Sequence, residues 1–418
     1  MVSLLQVIVW VLFFIGLYIL VFWLITFIEN FSRRDLDKRL RKYPKVTIAI
    51  PAYNEQDSIR DTLMSVISLD YPCDKLEVIV VDDGSVDNTA QIVRDFILEK
   101  KDFNIRLLSQ KNSGKGEALN KALYLSKGEY FTCLDADSFV ASDALRKMLV
   151  HFEEKDVAVV LPLMKIKDPT TLIEKLQWSE YLINFFYKSL MSFLNCVHVA
   201  PGPFSVYRKD VLIKIGGFAR DNLTEDLEVS LRVQKAHYRI VQILSTEVYT
   251  NAPKSLTSFY KQRNRWYKGT MINMFNYKWM IFNKKYGDFG MLQMPRVFIS
   301  GFLAVFIIGL ALYRLVFKSL FVKISEWASI NFDFLALLSQ TSINFNWIGF
   351  NFTNIFFGIV SIALGGFIIW YAHKNTKENM LRYGIFSLPA YLLLYSLLVS
   401  GVWIGVFIEM LFGRKQRW

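Results

Sequence analysis

Tyr130-Phe-Thr-Cys-Leu-Asp-Ala-Asp-Ser138 is an apolar, β-prone run that ends in two carboxylates, Asp135 and Asp137, one residue apart. In an open α/β sheet, ligands sit just beyond the carboxyl ends of the strands. Two hard oxygen donors at such a point suit a divalent cation that also grips phosphate oxygens. Taken alone, Asp-x-Asp at a strand end is more often a turn or a helix cap. The neighbouring segments decide between these readings.

Working outward toward the N-terminus, Val46–Ile50 is a short run rich in β-branched residues, broken by Pro51-Ala-Tyr-Asn-Glu55. A helical pattern follows to about Leu69, with Ile59, Leu63, Val66 and Ile67 on one face. Glu77–Val81 is a second strand, ended by Asp82-Asp-Gly-Ser85, and Asn88 or Thr89 caps a helix reaching about Lys100. Ile105–Leu108 is a third strand, Gly114-Lys-Gly116 opens a helix to Ser126, and Val157–Leu161 is a strand beyond the aspartate pair. Strands alternating with helices at this spacing predict an α/β, mostly parallel sheet with right-handed crossovers. Tyr53 with Glu55, Asp82 with Asp83, and Asp135 with Asp137 then gather along one sheet edge. GxGxxG is absent after the first strand, so this is no dinucleotide fingerprint. Ser113-Gly-Lys-Gly116 lacks the earlier glycine and the Ser/Thr of a Walker A loop, yet Lys115 at a glycine-rich helix start is placed to meet a phosphate.

Three more clusters lie in the second half. Ala200-Pro-Gly-Pro-Phe-Ser205 is a turn-rich stretch before a short strand, and Leu223-Thr-Glu-Asp226 stands before a helix. In the basic, aromatic segment from Leu256 to Phe275, Gln262, Arg265, Trp266 and Gly269 fall at i, i+3, i+4 and i+7 and share one helix face.

With 418 residues, 53% of them hydrophobic, the chain can bury a large core, but its apolar residues are unevenly spread. Residues 4–28 are nearly free of charge and long enough to span a bilayer. Arg33, Arg34, Lys38, Arg39, Arg41, Lys42 and Lys45 follow, which by the positive-inside rule puts the central region in the cytoplasm. No basic start or cleavage site is evident, so the segment reads as a retained anchor. Apolar stretches return at 296–317, 351–372 and 384–411. Counted as three spans they leave Arg414–Trp418 outside, against the same rule, so either 326–348 holds a further span or one stretch is interfacial or re-entrant. Residues 171–195 are aromatic and amphipathic and fit the membrane interface. The net charge of +12 suits anionic lipid and anionic donors. No zinc-finger spacing or nucleic-acid module is seen, and Cys73, Cys133 and Cys196 form no disulfide framework.

Taken together and in this order, the clusters resemble those of family 2 glycosyltransferases with membrane-integrated catalytic domains. The chain is most similar to the processive branch of hyaluronan, chitin, cellulose and poly-N-acetylglucosamine synthases. Thr224-Glu-Asp226 followed by Gln262-Arg-Asn-Arg-Trp266 carries the specific part of the likeness, and Asp82-Asp-Gly-Ser85 the general part. The resemblance implies a GT-A fold, a Rossmann-like mixed sheet inserted between transmembrane helices with interfacial helices beside it. Its divisions would be an N-terminal span at 1–30, a cytoplasmic catalytic domain at 31–253, an interfacial segment at 254–294 and a membrane region of three or four segments at 295–418.

It also implies roles. Pro51, Tyr53, Glu55, Asp82 and Asp83 would hold the uridine, with Lys115 near uracil or diphosphate. Asp135 and Ala136 would meet the ribose or donor sugar, and Asp137, with Asp135, would ligate Mg2+ or Mn2+. Asp226, beside Glu225, would be the general base on the acceptor hydroxyl. Gln262 with Arg263 or Arg265 would face the diphosphate, while Trp266, Gly202 and Pro203 would line the acceptor site. Ala200-Pro201 stands where hyaluronan synthases have Cys-Ser. The implied activity is an inverting, processive transfer from a UDP-sugar, UDP-N-acetylglucosamine first and UDP-glucose second, into a β-linked polysaccharide passed across the cell membrane. The alternative is transfer of one sugar to a membrane lipid such as a polyprenyl phosphate or ceramide.

Overall fold

The computed structural model describes residues 4–30, 40–329, 352–376 and 378–413. Of the features read from sequence, Arg33, Arg34, Lys38 and Arg39, most of 326–348 and the tail Arg414–Trp418 lie outside the described residues.

A helix α1 (Leu4–Asn30) leads into a mixed sheet. Its strands are β1 (Val46–Ala52), β2 (Leu76–Asp82), β3 (Asn104–Ser109), β4 (Tyr130–Cys133), β5 (Phe139–Val140), β6 (Val157–Ile166), β7 (Ser205–Arg208) and β8 (Arg239–Thr250). Their spatial order is β3-β2-β1-β4-β7-β6-β8-β5. The first four in that order run parallel, so the loops after β1, β2 and β4 share one edge, as the aspartate clusters require. Strand β7 runs antiparallel to both β4 and β6 and so reverses the sheet beside the Asp135–Asp137 turn. β1, β2, β4 and β6 are buried almost throughout, which explains why they read as continuous apolar runs.

The crossover helices are α2 (Ile59–Ile67), α3 (Thr89–Glu99), α4 (Lys115–Leu125) and α5 (Ala144–Leu149). Three residue blocks then wrap the reversed half: α6 (Leu172–Phe193), α7 (Lys209–Lys214) and α8 (Glu225–Lys235). A capping box at Thr171 and Glu174 starts α6, both side chains answering the other's backbone N–H. Sequence reading missed β8, the 12-residue strand. It pairs with β6 through register shifts, and its burial alternates and then slips around Leu244 and Ser245, so no single period marks it.

The helix α9 (Leu256–Asn276) begins at a Ser255 cap and is followed by α10 (Met294–Leu312), α11 (Lys318–Ser329), α12 (Phe352–Thr376), α13 (Met380–Ala390) and α14 (Ser396–Leu411). Two continuous helical runs, Phe289–Leu312 and Met380–Leu411, are long and apolar enough to cross a membrane, and α1 carries a shorter apolar stretch, Phe13–Glu29. Ile299, Phe302, Phe306, Leu392, Leu393 and Ile404 on these runs are exposed.

α9 is clamped between the sheet domain and these helices. Tyr267 stacks on Trp403 with ring centroids 4.6 Å apart, and Glu409 accepts from Asn264 at 3.1 Å and pairs with Lys268 at 3.2 Å. On the other side, the buried Lys165 of β6 pairs with Glu247 at 2.8 Å and Glu378 at 3.3 Å and donates to the Thr376 carbonyl at 2.5 Å, fixing the end of α12 to the sheet.

Gly116, in the first turn of α4, lets the loop at Ala219 press onto the helix: a Cβ there would lie 2.2 Å from the Ala219 carbonyl oxygen. Gly116→Ala is therefore expected to cost about 1–3 kcal/mol through overpacking against backbone. A lowered thermal unfolding midpoint checks it; an unchanged midpoint would mean the loop does not bear on α4.

Candidate functional site

The site is assembled from loops at one sheet edge. Asn54, held at a left-handed φ of 56°, accepts from the Val86 N–H at 2.9 Å, while its own N–H reaches Ser85 Oγ at 3.0 Å. Glu55 N–H donates to Thr89 Oγ1 at 2.8 Å. The loops after β1 and β2 are thus stitched into one wall. Tyr53 stands exposed on that wall, just after β1, which carries Pro51 as its penultimate residue.

Asp82 accepts the Ser85 N–H at 3.1 Å and so shapes its own turn. Asp83 accepts from Gln110 Nε2 at 2.7 Å and from the N–H groups of Ser113 and Gly114 at 2.8 Å each. Its carboxylate therefore fixes the glycine loop that starts α4, and through it the position of Lys115.

Lys115 is the meeting point. Its Nζ lies 2.5 Å from Asp135 Oδ1 and 3.3 Å from Glu225 Oε1. Burial alone would lower its pKa, but Asp135 and Glu225 outweigh burial and hold it above the ordinary lysine value. Over this pair lies Gly202. A Cβ there would come 2.5 Å from Lys115 Nζ and 2.7 and 2.8 Å from the two Asp135 oxygens. The Gly202–Pro203 turn is anchored from α8, whose Ser230 Oγ accepts the Ala200 N–H at 2.9 Å, and from within by the Ser205 hydroxyl on the Pro201 carbonyl. Phe204, buried at φ 56°, takes up the strain of the turn.

Ala136 is held by its carbonyl, which accepts Thr62 Oγ1 at 2.8 Å. Asp137 accepts from Ser138 Oγ at 3.2 Å. Burial, then the charges of Asp135 and Glu55, push its pKa up to about 6. Burial and the same acidic neighbourhood also raise Glu55. This is a site with surplus negative charge. Among the described residues no group of three or more Asp, Glu, His or Cys side chains could enclose a metal ion by itself. Two carboxylates with a shell left to be completed by other oxygens fit a divalent cation that arrives with a phosphate.

Across Lys115 stands Asp226. Its Oδ1 accepts the Leu227 N–H at 2.8 Å in the first turn of α8. Burial and the adjoining Glu225 raise its pKa to about 6, against the lowering pull of Lys115 and Arg265. The turn before it is locked to α9. Asn222 and Asn273 exchange amide bonds at 2.8 and 3.1 Å, and Asn273 Nδ2 also donates to Thr224 Oγ1 at 3.0 Å. Gly269 permits this approach, since a Cβ there would meet Thr224 Oγ1 at 2.6 Å. Sequence reading placed Gly269 on the right face but assigned nothing to Asn222 or Asn273.

The two arginines of the α9 motif part company. Arg265 stays partly accessible, close enough for its charge to act on Asp226. Arg263 is fully buried and paired with Glu180 of α6, its guanidinium 4.2 Å from the Trp266 ring centroid and 5.2 Å from that of Phe259. Of the two arginines, either of which was expected at the diphosphate, Arg263 is turned under the motif against Glu180, because it sits one position off the face shared by Gln262, Arg265 and Trp266. Gln262 keeps a buried Oε1 without a hydrogen-bond partner among the described residues.

The chain was compared with known proteins. Residues 47–216 match the glycosyl transferase family 2. The poly-beta-1,6-N-acetyl-D-glucosamine synthase of Staphylococcus aureus is 31% identical over 269 residues, 62% of this chain and 64% of the relative, so the chain spans just under two thirds of it. The synthase of the same name from Staphylococcus epidermidis is 26% identical over 380 residues, 88% of this chain and 84% of the relative. Among solved structures, the mannosyltransferase PcManGT from Pyrobaculum calidifontis, in complex with GDP-Man and Mn2+, superposes with a TM-score of 0.58 over 95% of both chains at 18% identity, a likeness of fold. Residues 47–216 thus match the family 2 glycosyl transferases, and the chain is similar to the staphylococcal poly-beta-1,6-N-acetyl-D-glucosamine synthases.

Proposed function

We propose that the chain is an inverting, processive glycosyltransferase that builds a β-linked polymer of N-acetylglucosamine from UDP-N-acetylglucosamine at the cytoplasmic face of a membrane. The observation that carries this reading is the Lys115 bridge to Asp135 and Glu225, with the charge of Asp226 acting on the same ammonium. The relation to the poly-N-acetylglucosamine synthases supports the donor and the polymer. The exposed apolar faces of the helices Phe289–Leu312 and Met380–Leu411 support a membrane location, with α6 and α9 at its interface.

In this reading Tyr53 and the loops held by Asp82 and Asp83 seat the uridine. Asp137 and Asp135 hold Mg2+ or Mn2+, which when bound offsets charge on the leaving diphosphate. Lys115 fixes a positive charge on the same side, and Arg265 adds another. Asp226 takes the proton of the acceptor hydroxyl as its oxygen bonds to the anomeric carbon. The bond from that carbon to the diphosphate breaks, and UDP leaves with the electron pair. A single displacement inverts the anomeric centre, so an α-linked donor gives a β-linkage. Trp266, whose indole is steadied by Arg263, offers its free face to the acceptor sugar.

UDP release by the purified protein tests the donor: turnover is expected with UDP-N-acetylglucosamine and Mn2+ above that with UDP-glucose or UDP-glucuronic acid. Preference for another sugar would overturn the substrate assignment. Asp226→Asn should lower kcat by roughly 10²–10⁴-fold with little change in UDP binding, as loss of a general base does. Because Asp226 must be ionised to accept a proton, activity should rise with pH through about 6 and fall below it. A flat profile down to pH 5 would remove Asp226 from that role. Gly202→Ala, which drives a methyl into Lys115 and Asp135, should abolish turnover while leaving the unfolding midpoint within a few degrees.

A further inference from the structure

The Asn222–Asn273 lock has a second neighbour besides the turn that carries Asp226. Asn222 also lines an open groove of about 390 Å3, whose other walls come from the loop at Ala219 and Asp221, from α8 and from the turn after α9. Two aromatic rings, Tyr277 and Trp279, line it with 6.0 Å between their centroids. The row of rings continues past the groove, since Tyr286 meets Trp279 edge-on at 5.5 Å and stacks on His237 at 5.6 Å.

These rings are held in place. The Tyr277 hydroxyl donates to Glu228 Oε1 at 2.6 Å, and Glu228 is fixed in turn by Arg232 Nε, 2.8 and 3.0 Å from its two oxygens. Met280, fully buried in a cluster with Leu227 and Met274, pins the turn that carries Trp279. Trp279 itself stays 43% exposed, with Lys235 Nζ 5.3 Å from its ring centroid. Asp221 and Asn276 are exposed on the same groove, and their side chains take no hydrogen-bond or ion-pair partner among the described residues. Arg232 already neutralises Glu228, and the charges of Asp221 and Lys235 cancel, so the groove suits a neutral ligand. Fixed rings flanked by an amide and a carboxylate are the chemistry that recognises a sugar. The C–H face of a pyranose lies on the rings, and its hydroxyl or acetamido groups meet the Asn and Asp. The volume lies within the range of small-ligand sites.

We propose that the groove bounded by Trp279, Tyr277, Asn276 and Asp221 is a second, noncatalytic saccharide site that binds a short oligosaccharide of N-acetylglucosamine. The identity of the sugar rests on the function proposed above. Because Asn222 also accepts the Thr224 N–H at 3.0 Å, a saccharide lodged in the groove stiffens the turn that leads into Asp226.

The test titrates the full chain in neutral detergent, without nucleotide sugar, with a β-linked N-acetylglucosamine pentasaccharide while the heat of binding is recorded. Trp266→Ala serves as the starting chain, so that the acceptor side of the cleft does not contribute, with Gly202→Ala in its place should its thermal midpoint fall. Saturable binding is expected to persist in that chain. Adding Trp279→Ala should weaken the Kd by about tenfold or more, as loss of a stacking indole does, whereas Trp279→Phe should keep it within about threefold. Asn276→Ala should weaken it several-fold with an unaltered thermal midpoint, and Tyr124→Ala, an exposed ring elsewhere, should leave it unchanged. No binding by the starting chain, undiminished binding after Trp279→Ala, or equal binding of maltopentaose would overturn the site. Sugar transfer plays no part in the titration, so failure to turn over UDP-N-acetylglucosamine would count against the proposed function and leave the titration to decide the groove.

Discussion

The bridge from Lys115 to Asp135 and Glu225 is the constraint on which the site depends. Each partner comes from a different block of sequence and is held by its own set of contacts. Asp83 fixes the glycine loop under Lys115, β4 delivers Asp135, and the Asn222–Asn273 lock delivers Glu225 and Asp226. A half-buried lysine between two carboxylates ties three segments into one register, because removing one partner leaves the others poorly compensated. The candidate site is therefore held closed by electrostatics. Gly202 shows how tight the closure is, since the turn above the bridge has no room for a methyl group.

The same logic extends toward the long apolar helices. α9 carries Gln262, Arg265 and Trp266 on the face toward α8, and its other residues engage α6 and α14. Glu180 anchors Arg263, and Glu409 and Trp403 anchor Asn264, Lys268 and Tyr267. Any displacement of α14 is thus transmitted to the segment that carries Gln262, Arg265 and Trp266. In a polymerase that passes its product along such helices, this coupling would link each transfer to movement of the chain.

Much of this was legible in the sequence, for physical reasons that differ by element. Strands β1, β2 and β4 are buried on both faces, so they appear as unbroken apolar runs ending in acidic turns. Asp135, Asp137 and Asp226 stood out through their company, since a carboxylate at a strand or helix end is by itself more often a turn or a cap. β8 was missed because its alternation slips at a bulge. Arg263 and Arg265 were left as alternatives at the diphosphate because two arginines three and one positions from Trp266 look alike in sequence, and only burial against Glu180 separates them. The Asn222–Asn273 lock depends on a contact between segments some 50 residues apart, which no local pattern records.

The most direct measurement is the size of the product made by the purified full chain from labelled UDP-N-acetylglucosamine and Mn2+. A ladder or high-mass glycan with β-linkages, formed with stoichiometric UDP release, is the predicted result. A lipid bearing a single sugar as the sole product would contradict the account of a processive synthase.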